Sequence, residues 1–134
     1  MSNRGLRSTM LFVAGLMGLF GVASAAAASH GTDPRLLGGA SAMCLAHAPA
    51  LLALYAGWAH FRTAAIATLL LAAGTALFAA DLTMRHFSGN GLFPMSAPIG
   101  GVTMMAGWLV VALGAFLPRK SDRSGPLITS HFAS

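Results

Sequence analysis

Five residues carry groups that could do chemistry inside or beside long apolar stretches: His30, His47, Asp81, Arg85 and His86. His47 lies about two turns inside one such stretch and is followed by Pro49. That proline removes one helix hydrogen bond and frees the Leu45 carbonyl, which predicts a helix kink. Arg85 follows Asp81 by four residues, so the two share a helix face. His30 and His86 close apolar stretches on the side where Asp81 also lies. His30, His47, Asp81 and His86 could therefore converge in the outer half of a helix bundle.

Three kinds of chemistry fit such a cluster. In the plainest, Asp81 and Arg85 form an interfacial helix pair and His47 fixes helix register through a hydrogen bond. A proton or ion relay would use Asp81 with His47, since ionisable groups in a membrane commonly line polar paths. Haem or metal ligation would use histidine pairs, but bis-histidine haem needs matching depths and His47 sits deeper than His30 or His86. Met104-Met105 point only weakly to copper, because adjacent helical residues face different directions. Cys44 reads as a small buried hydrophobe. No catalytic triad, glycine-rich phosphate loop or carboxylate pair is present, so no catalytic, cofactor-binding or metal-binding residue is assigned. Trp58 reads as an interfacial anchor and Trp108 as a core aromatic whose indole N–H needs an acceptor.

The elements that must position these residues follow from charge. The 134 residues hold 8 Lys+Arg and 3 Asp+Glu, with 8% charged and 56% hydrophobic. Soluble domains average about 25% charged. Such a chain cannot cover a globular surface with charge, which excludes an ordinary soluble enzyme, a disordered chain and a nucleic-acid module. One cysteine excludes a disulfide scaffold. Uncharged runs lie between Arg7 and Asp33, Arg35 and Arg62, Arg62 and Asp81, and Arg85 and Arg119. Within the last run the apolar stretch follows Pro98, and each stretch is then near the length of about 20 residues that spans a bilayer as a helix. The sequence predicts an all-α, integral membrane, four-helix antiparallel bundle with spans near 9–29, 39–59, 63–84 and 98–117. Asp33-Pro34, His60-Phe61-Arg62-Thr63 and Gly89-Asn90-Gly91 mark the connections, and Pro98 suits a first helical turn. Residues 1–8 form the N-terminus and 118–134 a polar tail expected to be disordered.

Lys/Arg placement sets the orientation. Arg4, Arg7, Arg62, Arg119, Lys120 and Arg123 share one side, and Arg35 and Arg85 the other, which puts both termini in the cytoplasm. The basic ends are also placed to meet anionic membrane lipid. A second reading of the N-terminus is a secretory signal. Arg4 and Arg7 then form its basic end, MLFVAGLMGLFGV its apolar core and Ala23-Ser24-Ala25 its cleavage site. Against cleavage, the uncharged run continues to Thr32. Charge does not separate the two, because both give the same orientation.

Small residues recur at helical spacing. Ala triplets occur in the second and third spans, and Gly100, Gly107 and Gly114 stand seven apart in the fourth. Lipid offers no hydrophobic drive between helices, so close backbone approach must hold them. Glycine disfavours helix and needs a reason to be there. The three glycines are therefore expected to form a helix-packing seam.

Several segments together resemble the domain of unknown function 423 family of small bacterial inner-membrane proteins, which includes transmembrane protein 256. Ala97-Pro98-Ile99-Gly100-Gly101 followed by Ala106-Gly107-Trp108 is similar to the family's T-P-x-G-G…A-G-W. Cys44-Leu45-Ala46-His47-Ala48-Pro49-Ala50 resembles its second-span pattern. Ala28-Ser29-His30-Gly31 and Leu77-Phe78-Ala79-Ala80-Asp81-Leu82 stand where it shows G-A-F-G-A-H and L-F-S-G-S-L-Y. The resemblance covers residues 9–117 and implies four helices in the inner membrane with the first span retained. It implies no activity, and Asp81 departs from its third-span pattern. The leading functional expectation is a non-enzymatic membrane protein acting through helix contacts, as an accessory subunit of a larger complex or as a homo-oligomer. No nucleic-acid partner is expected. The alternatives are a small transporter or ion-conducting protein using His47 and Asp81, and a haem or redox helper using the membrane histidines.

Overall fold

The computed structural model describes residues 3–31 and 33–118. It contains four helices, α1 Asn3–His30, α2 Arg35–Ala56, α3 Ala64–Ser88 and α4 Ser96–Gly114. No strand occurs among the described residues. Each helix is long and apolar enough to cross a membrane, and an α-helix satisfies its own backbone groups where no water can. The chain is a multi-pass membrane protein.

The helix ends are set by local hydrogen bonds. The backbone N–H of Arg35 donates to Asp33 Oδ1 at 3.0 Å, and Gly38 N to Pro34 O at 2.8 Å, which starts α2 directly after the turn. Gly57 N donates to Ala53 O at 2.9 Å at the end of α2. Gly89 closes α3 in the left-handed region, at φ 75°, with its N–H on Arg85 O at 3.0 Å. Glycine takes that conformation without a Cβ penalty.

Every helix departs from its expected span, and α2 runs Arg35–Ala56 where 39–59 was expected. Helix α1 begins at Asn3 and so takes in Arg4 and Arg7, because a helix need not stop where hydrocarbon does. Helix α3 continues to Ser88, past Arg85, which turns back onto Asp81. Helix α4 starts at Ser96, leaving Pro98 in its first turn. Pro49 lies inside α2 without ending it. Helix α1 runs unbroken through Ala23-Ser24-Ala25, where Ser24 is buried. Apart from Pro118, the expected polar tail lies outside the described residues.

Each helix packs on its sequence neighbour, α1 on α2, α2 on α3 and α3 on α4. Helix α1 touches α3 slightly and does not reach α4. The core is built largely from small side chains, with Ala14, Ala40, Ala48 and Ala67 around Leu51 and Leu71. Close approach is plainest between α3 and α4. A Cβ on Gly100 would lie 2.8 Å from Phe78 N and 2.9 Å from Gly74 O, and one on Gly74 would lie 2.8 Å from Gly100 O. Further along the same side of α4, Gly107 meets Leu71 and Gly114 meets Thr63. All three α4 glycines thus face α3 or the residue that precedes it. Between α1 and α2, Ser41 Oγ donates to Gly21 O at 2.7 Å. Beside that contact, between α1 and α3, an apolar groove of about 570 Å³ runs past Val13, Phe20, Cys44, Ala80 and Phe87.

Candidate functional site

Among the buried side chains of the described residues, Asp81 has the most hydrogen bonds, three. It is fully buried, about two turns before the end of α3. Arg85 Nε, one turn on, donates to Oδ2 at 2.6 Å. The backbone N–H of Leu92 donates to Oδ1 at 2.8 Å, and the Ser96 hydroxyl donates to the same oxygen. Ser96 is itself fully buried and also stands 2.8 Å from Phe93 O. Its one proton faces two acceptors, and the charged carboxylate is the stronger.

The connection between α3 and α4 is shaped to make this possible. A Cβ on Gly91 would lie 2.5 Å from Asp81 Oδ1 and 2.6 Å from Arg85 Nη2, so a side chain there would push the carboxylate or the guanidinium aside. Met95 then takes a positive φ of 70° to start α4 with Ser96 turned inward. One carboxylate thereby ties together the end of α3, the connection and the first residue of α4. A buried carboxylate is costly unless paired and hydrogen-bonded. Here both oxygens are occupied, so the group is held as an acceptor and is not presented to a ligand.

His47 forms a second, separate centre. It is buried in α2, with Nδ1 2.8 Å from Met43 O. Trp108 of α4 donates its indole N–H to His47 Nε2 at 3.1 Å, with the rings 5.9 Å apart and tilted by 56°. A carbonyl can only accept and an indole N–H can only donate, so these partners place the imidazole proton on Nδ1. The pair bridges α2 and α4, whose backbones do not approach each other closely. It also supplies the acceptor that the Trp108 indole needs.

The two tryptophans reverse their expected places. Trp58 is buried at the α2–α3 connection, whereas Trp108 is 47% exposed. The reason is that α4 has only α3 as a close neighbour, so even a residue bonded inward keeps one ring face outside.

The expected convergence of histidines and Asp81 does not form. His30 is exposed at the end of α1, and His86 packs edge-on against its neighbour Phe87 at 4.9 Å. Ser96 and Trp108 stand twelve residues apart on α4. The Asp81 and His47 centres they belong to are therefore separated by about 18 Å along that helix. No group of three or more His, Cys, Asp or Glu that could hold a metal occurs among the described residues. Cys44 is buried in the core.

Four participants were not singled out from sequence: Gly74, Gly91, Leu92 through its backbone, and Ser96. Only Gly91 left a signal, as part of the glycine-rich turn.

A model of the family described as Protein of unknown function (DUF423) matches residues 23–101. That stretch contains His47, Asp81, Arg85, Gly91, Ser96 and Gly100. No solved structure matches the chain.

Proposed function

We propose that this chain, which belongs to the DUF423 family, is a non-enzymatic assembly subunit of the bacterial inner membrane that works through helix contacts. The observation that carries this is the state of α4. Its neighbour is α3, its link to α2 is one hydrogen bond, and its outward side exposes Ile99, Val102, Met105, Leu109 and Leu113. In lipid, helices associate by shape and close packing, and α4 offers a long apolar face with its inner side already fastened. The buried polar groups point the same way. Asp81 and His47 spend their hydrogen bonds on holding the helices, at two centres about 18 Å apart along α4.

Purification in a mild detergent tests this reading. The expected particle contains either several copies of the 13.6 kDa chain or one copy with a second membrane protein in fixed ratio. A lone monomer in every mild detergent tried would contradict it.

The excess of basic residues on the side of Arg4, Arg7 and Arg62 supports cytoplasmic termini. A periplasm-dependent phosphatase fused after Ser134 is expected to stay inactive, and an active fusion would reverse the orientation.

A further inference from the structure

The inner ends of α1 and α2 carry a charged group that the described fold leaves uncompensated. Arg7, on the second turn of α1, lies with its Cζ 4.9 Å from the centre of the Tyr55 ring near the end of α2. Its Nε is buried and has no hydrogen-bond partner among the described residues. The acids among those residues are placed elsewhere. Asp33 accepts from Arg35 N in the turn after α1, and Asp81 is bonded by Arg85 at the far end of α3. Arg4 and Arg62, on the same side of the membrane, are exposed and add positive charge.

A guanidinium seated on an aromatic face has its plane fixed and its donor edge oriented, and that edge matches a phosphate by paired N–H···O bonds. The Nε is enclosed, so an anion would meet the guanidinium through its terminal N–H groups and offset the charge that the described fold leaves uncompensated. The height is also right, since Tyr55 is the second-last residue of a span and Arg7 precedes the apolar run of another. Tyrosine and arginine at that level meet headgroups. We propose that Arg7, braced by Tyr55, binds the phosphate of an anionic phospholipid in the leaflet next to the chain's N-terminus. This site stands independently of what α4 contacts.

The test uses the full chain in detergent micelles, titrated with dioleoylphosphatidylglycerol and, separately, dioleoylphosphatidylcholine, with bound lipid counted by native mass spectrometry. The anionic lipid is expected to bind at least about tenfold more tightly. Arg4→Gln removes general attraction and should weaken it about fivefold. Arg7→Gln should weaken it about 20-fold or more, because the oriented contact goes as well. Tyr55→Phe keeps the ring and should bind as wild type, whereas Tyr55→Leu should lose about two- to fivefold. Helicity by circular dichroism checks each variant, and the Tyr55 pair decides if Arg7→Gln does not fold. Three results would overturn the proposal: Arg7→Gln losing no more than Arg4→Gln, Tyr55→Leu and Tyr55→Phe binding alike, or displacement of the lipid by millimolar inorganic phosphate. The last would assign the contact to a soluble phosphate.

Discussion

Gly100→Ala is expected to destabilise the protein by about 2–3 kcal/mol, at the upper end of what overpacking costs. The added Cβ would sit 2.8 Å from Phe78 N and 2.9 Å from Gly74 O. Both are backbone atoms of α3, so neither can rotate away as a side chain would. The helices must separate, and the separation spreads along the seam that Gly107 and Gly114 continue. Gly101, the next residue, provides the control, because nothing lies within 4 Å of its Cβ position. Gly101→Ala should be neutral or slightly stabilising, since alanine exceeds glycine in helix propensity by about 1 kcal/mol. Thermal unfolding in detergent, followed by circular dichroism, reads the difference. Equal midpoints for the two variants would show that α3 and α4 are not fastened by glycine contact. Gly107→Ala should cost less than Gly100→Ala, because its closest clash is with Leu71 side-chain atoms at 2.8 Å and the nearest backbone atom, Leu71 N, stands off at 3.1 Å. Gly107→Leu should again be disruptive.

Asp81→Ala is the second large effect, expected at about 2–4 kcal/mol. Removing one partner of a buried ion pair leaves the other's charge uncompensated. Here it also strips acceptors from Leu92 N and Ser96 Oγ. The cost is held down because the Arg85 side chain is 41% exposed and can turn toward headgroups. Asp81→Asn should recover little. Donors approach both carboxylate oxygens, and the amide would point its own N–H₂ at one of them. Arg85→Ala should cost less than Asp81→Ala, since the Leu92 and Ser96 bonds survive. The double variant should be milder than the sum of the two, which a double-mutant cycle would read as coupling. Strict additivity would mean that Asp81 and Arg85 do not act as a pair.

These two sites also show what residue order can and cannot reveal. The four spans are legible because a bilayer forces long uncharged runs, and the gaps between charges outline them. Their ends are less so, because α3 ends where Gly89 can take a positive φ, four residues beyond the expected limit. The Asp81–Arg85 pair is readable from i,i+4 spacing alone. Its other partners are not. Leu92 and Ser96 lie eleven and fifteen residues away across an irregular connection, and no local rule says where such a loop returns. The need of the Trp108 indole for an acceptor was visible, but the identity of that acceptor was not. His47 stands 61 residues earlier, and the pairing depends on how α2 and α4 straddle α3. Periodicity singles out the Gly100, Gly107 and Gly114 series, whereas Gly74 is isolated in its helix and acquires meaning only against Gly100. The expected histidine cluster failed for a related reason. Shared membrane side does not imply shared depth, and twelve residues of α4 separate the two polar centres.

The claim that α4 is a contact surface is tested most directly by photo-crosslinking in native membranes. A benzoylphenylalanine placed at Val102 or Leu109, both about 60% exposed, should give one discrete adduct, whose mass shows either a second copy or a single partner. The same probe at His30, on the exposed end of α1, should not give that adduct. Monomer alone at both α4 positions, with the protein folded and in the membrane, would contradict a role based on helix contacts through this face.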